Sequence, residues 1–339
     1  MKKSLLVTLA DKNYIEQAKQ LFSSVYWNAG WKGDYMLLAY ELPEKQLKWF
    51  RRKGILIKKC NPSLDKMSER WPSVILSKLY LFAPEFKKWK NVVFLDADII
   101  VRASLDELTE IRGFAAAKSH AKILNICHRP LFIRLKKRNI SKLNEVKRRY
   151  NTNAEAFNAG VLVFNTDVIK KDTLNRLKKL AEHYIEICPA IDELSLSIVF
   201  YKKWTELPQV YNIYPDFLKE HYNIKAKRVK GIILHFVLNK PWDKKSPFYN
   251  EWLNNFKKAE QIDLKNPKKP IKKWTNQEIE DYLKYLKKRR KIFFYKRFVW
   301  EIRQAIDRSV GLAGIFLRNN FPKLYWKLRN QDTKIASTY

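Results

Sequence analysis

The chain has 339 residues, 46% of them hydrophobic, which is enough apolar material for a substantial core and excludes disorder as the starting assumption. Lys and Arg outnumber Asp and Glu by 68 to 34, a formal charge of +34 that calls for an anionic partner such as nucleic acid, an acidic membrane surface or a phosphorylated small molecule. Three scattered cysteines, Cys60, Cys127 and Cys188, point to a reducing compartment and no cysteine metal cluster.

The first ten residues, Met1 to Ala10, carry the basic start and apolar run of a signal peptide. Asp11 and Lys12 end that run too early, so Lys3–Leu9 reads as a first core strand. No stretch reaches the roughly 18 uncharged apolar residues of a spanning helix. A cytoplasmic protein is expected, with peripheral attachment to the inner membrane face as a second option.

Apolar positions Ile15, Ala18, Leu21, Phe22 and Val25 recur at helical spacing, and Gly30 and Gly33 break the pattern before a strand over 35–40. Pro43 opens a second helix with Leu47 and Phe50 on one face, ending near Gly54, and Ile55-Leu56-Ile57 follows as a strand. Pro72 suits the first turn of a third helix carrying Ile75, Leu79 and Phe82, which Pro84 stops. Val92–Leu95 is a fourth strand. Short apolar strands alternating with helices predict an α/β fold with right-handed crossovers, a mostly parallel central sheet and helices on both faces. Ligands gather at the carboxyl ends of such strands.

At one such end lies Phe94-Leu95-Asp96-Ala97-Asp98. An extended chain turns alternate side chains to one face, so Asp96 and Asp98 converge on a point that suits a hard divalent cation. An Asp-x-Asp also recurs by chance, and the same carboxylates could cap a helix starting near Ser104-Leu105-Asp106-Glu107.

Between residues 115 and 150 eleven Lys and Arg face the single acid Glu145, which marks either a lid or acceptor-binding insertion or a solvated basic helical face. Phe157-Asn158-Ala159-Gly160-Val161 opens a strand whose small residues admit another backbone or a ligand. A helix over about 168–187 follows. Asp192-Glu193 precedes a helical pattern and could be a favourable charge pair at its N-terminus. Gly231 to Phe236 is a buried strand containing His235, a core histidine unless its neighbours say otherwise.

Composition changes at about residue 258. A proline-punctuated linker over 266–270 leads into an aromatic and basic region, and 265–339 holds twenty Lys and Arg against six acids, net +14. We expect a catalytic domain over 1–257 and a helical region over 258–339 that either binds an anionic membrane or packs on the catalytic domain.

Taken in order, several motifs resemble the retaining glycosyltransferases of family 8, the group that includes glycogenin, galactinol synthase and bacterial lipopolysaccharide galactosyl- and glucosyltransferases. They are Thr8-Leu9 with Tyr14, Ser77-Lys78-Leu79, Asp96-Ala97-Asp98, Asn158-Ala159-Gly160, Asp192-Glu193, Leu207-Pro208 with Tyr211-Asn212, and His235-Phe236 with Lys240-Pro241-Trp242. The resemblance spans residues 4–257 and implies a GT-A fold, a UDP-sugar donor carrying glucose or galactose, a Mn²⁺ or Mg²⁺ ion, and a glycan or glycolipid acceptor such as lipopolysaccharide core. It implies metal ligation by Asp96, Asp98 and His235. Donor contacts would come from Thr8, Tyr14, Lys78, Asp96, Ala97, Asp98, Asn158, Gly160 and Lys240, with Tyr14 stacked on the uracil. The catalytic positions would be Asn158, Asp192 and Glu193.

Two departures stand out against that family. Val237-Leu238-Asn239 contains no glycine and His235 lies five residues from Lys240, one fewer than the family pattern; Glu193 occupies a position where glutamine is common. The competing reading is a basic nucleic-acid-binding or otherwise non-catalytic protein with a structural Asp pair, but the charge is dispersed and no nucleic-acid module signature is visible.

Overall fold

The structure, a computed structural model, describes residues 2–60, 73–122, 137–188 and 190–295. Strand β1 (Lys2–Ala10) lies in the middle of the central sheet, where Leu5, Leu6 and Val7 are fully buried, as a strand covered on both faces requires. Helix α1 (Ile15–Ser24) continues as a π-helical turn (Val25–Ala29) and stops at Gly30, whose φ of 63° a side chain would resist. Next come β2 (Asp34–Tyr40), α2 (Glu44–Arg52) and β3 (Leu56–Cys60).

The third predicted helix is instead a 3₁₀ helix, Ser73–Phe82. Leu76, Leu79 and Phe82 are buried at a spacing of three, the period of that helix, whereas Ile75 is only half-buried. Strand β4 (Trp89–Leu95) then inserts beside β1, and a short β5 (Ile99–Val101) leaves the sheet. The remaining elements are β6 (Phe114–Lys122), α3 (Lys137–Arg149), β7 (Glu155–Asn165), α4 (Thr173–Tyr184), α5 (Ile191–Val199), β8 (Trp204–Leu207), α6 (Pro215–Tyr222), β9 (Ile233–His235) and α7 (Tyr249–Lys258).

The seven-stranded sheet has the order β3-β2-β1-β4-β7-β6-β8. Its pairs are parallel except where β7 runs antiparallel to β4 and β6. A second sheet pairs β5 with β9, antiparallel, with Ile99 opposite His235. Phe82, Phe114, Phe164 and Phe200 form an aromatic core, with the Phe114 and Phe200 rings stacked at 4.1 Å and those of Phe82 and Phe164 at 4.8 Å.

The basic stretch over 115–150 is not a separate insertion throughout. Its start is strand β6, paired on both sides, and its end is α3, which buries Leu143 and Val146; residues 123–136 lie outside the described ones. The chain divides into one unit of residues 1–219 and 224–283 and another of 220–223 and 284–339. Residues 258–283 therefore fold with the first unit rather than with the C-terminal region: Ile271 N–H donates to Asn28 O at 3.0 Å and Ser104 N–H to Lys272 O at 2.8 Å. A helix covers 276–295, and the predicted helices beyond it lie outside the described residues. No helix among the described residues is long and apolar enough to cross a membrane.

Candidate active site

Strand β4 ends at Leu95, whose carbonyl accepts from the buried Thr8 hydroxyl at 2.7 Å. Thr8 thus ties β1 to the root of the site, and its side chain is turned into the core. Asp96, Ala97 and Asp98 then form a turn rather than an extended strand. The turn is fixed by backbone: Asp96 N–H donates to Gly160 O at 2.9 Å, and Phe236 N–H donates to Asp98 O at 3.0 Å. Convergence of the two carboxylates follows from these anchors, not from strand alternation. Ala97 is buried between them. Neither carboxylate caps the following 3₁₀ helix (Asp106–Glu110), whose N-cap is Leu105; Ser104 Oγ accepts from Asp106 N–H at 3.2 Å.

Pairing of β5 with β9 delivers His235 to the same point. Its Nε2 lies 3.3 Å from Asp98 Oδ1 and 3.9 Å from Asp96 Oδ2, and its ring is almost fully buried. One ligand atom from each of the three side chains lies within 4.8 Å of the others. His235 Nδ1 faces Asn212 Oδ1 at 2.9 Å, so the other ring nitrogen is directed at the carboxylates. Gly160 makes room for this ring. A Cβ there would collide with His235 Cε1 and sit 2.8 Å from its Nδ1. Two carboxylates and an imidazole nitrogen at one point could hold a metal ion, and a mixed O/N donor set of this kind is compatible with Mn²⁺ or Mg²⁺.

Two lysines flank the acids. Lys78 Nζ is buried and contacts Asp192 Oδ2 at 2.9 Å, Asp96 Oδ1 at 3.1 Å and Ala159 O at 3.1 Å. Burial opposes its charge, but Asp192 and Asp96 outweigh that penalty and hold its pKa above the ordinary lysine value. Lys240 Nζ donates to Asp98 Oδ2 at 2.6 Å and to Phe236 O at 2.7 Å. Burial would raise the Asp98 pKa, yet His235 and Lys240 push it below the carboxylate range. Asp96 goes the other way: burial raises it, and Lys78 only partly offsets that.

Asp192 and Glu193 occupy the first turn of α5, where negative charge is favourable, and each also has a specific partner. Asp192 holds Lys78. Glu193 Oε1 accepts from Asn158 Nδ2 at 2.6 Å and from Ala159 N–H at 3.2 Å. Burial and the adjacent Asp192 lift the Glu193 pKa from 4.5 to about 7. Tyr14, just before α1, stands edge-on to Trp242 at 5.9 Å, and burial raises its pKa.

The structure therefore gathers Lys78, Asp96, Asp98, Asn158, Gly160, Asp192, Glu193, His235 and Lys240 into one network, with Tyr14 beside Trp242. Two further members, Asn212 and Tyr214, had no expected site role, although Asn212 belongs to one of the family motifs. Asn212 bonds His235 and Asn158, and the Tyr214 ring stands edge-on to His235 at 5.4 Å. The motif Tyr211-Asn212 was visible in the sequence. Only the bridge between Ile213 and Leu234 sets it against His235.

The profile described as glycosyl transferase family 8 matches residues 5–246. A curated relative, the glycosyltransferase GlyA of Streptococcus pneumoniae serotype 4, is 23% identical over 254 residues, covering 71% of this chain and 32% of GlyA; the chain spans about a third of that relative. Among solved structures, an active-site glutamine-to-glutamate mutant of LgtC superposes with a TM-score of 0.58 at 18% identity, covering 74% of this chain and 94% of LgtC. LgtC in complex with donor and acceptor sugar analogs gives 0.55 at 17%, covering 76% and 95%. The bifunctional WbbM glycosyltransferase gives 0.56 at 19%, covering 78% and 52%. These likenesses establish a GT-A-like α/β fold. With the family profile covering most of its length, the chain belongs to glycosyl transferase family 8.

Proposed function

We propose that the protein is a retaining hexosyltransferase that moves glucose or galactose from a UDP-sugar to a glycan or glycolipid acceptor, with lipopolysaccharide core as one candidate. The observation that carries this reading is the convergence of Asp96, Asp98 and His235 between two lysines at the carboxyl end of β4. Family membership and the similarity to a fold solved with donor and acceptor sugar analogs support it. A divalent ion, Mn²⁺ or Mg²⁺, held by Asp96, Asp98 and His235 would neutralise the donor diphosphate and stabilise the departing UDP.

This chain's own groups do the rest. Lys240 exchanges Asp98 for a phosphate oxygen, a charge-assisted hydrogen bond of similar strength. Lys78 keeps Asp192 and Asp96 ionised and oriented. Tyr14 stacks on the uracil, with Trp242 bracing it. Asn158 and Asp192 hold sugar hydroxyls, while Thr8, bonded to the Leu95 carbonyl, and Gly160, closed against the His235 ring, support the donor cleft from behind and Ala97 keeps its turn small. The acceptor oxygen bonds to the anomeric carbon as the bond from that carbon to the diphosphate oxygen breaks, and the acceptor proton passes to the leaving diphosphate. We place same-face attack first; covalent capture of the sugar by Glu193 is the alternative route to retention. Residues 265–339 add an anionic membrane surface as a partner.

A screen of nucleotide sugars for hydrolysis and nucleotide release with and without Mn²⁺ tests the proposal. UDP-glucose or UDP-galactose is expected to lead and to require the metal; metal-independent release, or none from any UDP-hexose, contradicts it.

A further inference from the structure

We infer that Asn212 is the positioning residue that holds the His235 imidazole with its proton on Nδ1 and its Nε2 lone pair toward Asp96 and Asp98. The inference rests on the metal site proposed above, and it concerns how this chain prepares that site.

Hydrogen-bond polarity sets the orientation of these side chains. Amide and imidazole orientations are ordinarily ambiguous because oxygen and nitrogen, or the two ring nitrogens, can exchange places. Backbone N–H groups remove the ambiguity, since they only donate. Gly160 N–H donates to Asn158 Oδ1 at 2.9 Å, which fixes the oxygen on that side of the Asn158 amide. The Asn158 Nδ2 is then left for Glu193 Oε1, which also takes the Ala159 N–H. Asn158 Oδ1 accepts from Asn212 Nδ2 at 3.1 Å, and the same Nδ2 lies 3.2 Å from the Tyr214 hydroxyl. Asn212 must therefore present its oxygen to His235 Nδ1, 2.9 Å away. A carbonyl oxygen accepts and cannot donate, so Nδ1 carries the hydrogen and a neutral ring has its lone pair on Nε2.

Without this relay the ring would choose otherwise. Nε2 sits 3.3 Å from Asp98 Oδ1 and 3.9 Å from Asp96 Oδ2, and two carboxylates are stronger acceptors than one amide. They would draw the proton onto Nε2, the nitrogen a metal needs bare. Asn212 is itself only 3% exposed, so it reaches the chemistry through His235 rather than by touching the donor. The ring cannot swing away, because Tyr214 stands against it and Gly160 lies at its Nδ1–Cε1 edge.

The test titrates metal-free protein with Mn²⁺ by calorimetry. Asn212→Leu, similar in size and unable to accept, is expected to bind roughly 10–100-fold more weakly with its melting curve still cooperative. In parallel, wild-type protein labelled with ¹⁵N-histidine and loaded with ¹¹³Cd²⁺ is expected to show cadmium coupling at His235 Nε2 and a slowly exchanging proton on Nδ1. Wild-type-like Mn²⁺ affinity in a folded Asn212→Leu protein, or coupling at Nδ1, overturns the inference while leaving the metal site standing. Failure of the wild-type protein to bind either ion overturns the metal site and this inference together. The spectrum of the wild-type protein decides the matter even where the variant does not fold.

Discussion

Glu193 is a carboxylate of the candidate site whose surroundings couple its protonation to folding. Burial first, and then the charge of Asp192, raise its pKa to about 7, while Ala159 N–H, Lys78 and Asn158 pull the other way. The folded state thus holds the Glu193 proton more tightly than the unfolded chain does. The stability this contributes is complete below the unfolded value of 4.5 and is lost as the pH rises through about 7. Glu193→Gln removes the titration. Its urea midpoint should match that of the wild type near pH 4 and lie above it near pH 8, a stability difference on the order of 2 kcal/mol once the full linkage value is reduced for a side chain that is not wholly buried. An offset that does not change with pH contradicts the assignment. The same variant separates the two routes to retention, since full transfer activity in Glu193→Gln leaves no covalent role for this carboxylate. None of this was legible in the sequence beyond the residue's identity. A carboxylate in the first turn of a helix ordinarily faces water, and only the approach of β7 to α5 encloses this one.

At the scale of elements, sequence periodicity located most strands and helices of the sheet because their apolar spacing matches the period of each structure. It failed where the period was unusual or where backbone contacts from distant residues decide the shape. Ser73–Phe82 repeats every three residues, and the Asp96-Ala97-Asp98 turn is made by hydrogen bonds to Gly160 and Phe236. The turn after β9, shorter than the family pattern and without glycine, is closed by side chains: Lys240 donates to Phe236 O and Val237 O, and Asn239 donates twice to Asp216. The helix over 276–295 carries five consecutive cations, Lys287 to Lys291, followed by Ile292, Phe294 and Tyr295, all exposed. Cations beside exposed aromatics suit an anionic lipid surface. Sedimentation with phosphatidylserine vesicles should capture the protein at low salt and release it as salt rises. Replacing Phe294 and Tyr295 by Ser should weaken partitioning at least about threefold, by removing apolar area from the interface. Unchanged partitioning would exclude this helix as the contact.

At the scale of the molecule, the family was legible because motifs occurred in a fixed order along the chain, and one of them, Asp96-Ala97-Asp98, directly follows the carboxyl end of β4 as expected. What brings His235 to Asp98 is a second, two-stranded sheet that no local pattern announced. The formal charge of +34 implied an anionic partner without choosing one; Lys78 and Lys240 pair with the acids of the candidate site, and the function proposed above would set them beside a metal-bound diphosphate. The central claim is that the three ligands hold a metal that drives departure of UDP. It is tested most directly by measuring UDP release from the preferred UDP-hexose, with Mn²⁺, for wild type and Asp98→Asn side by side. The variant keeps the side-chain volume and loses the charge that binds both the metal and Lys240. The account predicts loss of turnover by at least about a hundredfold, the scale on which one essential electrostatic group contributes. Turnover equal to that of the wild type would contradict it.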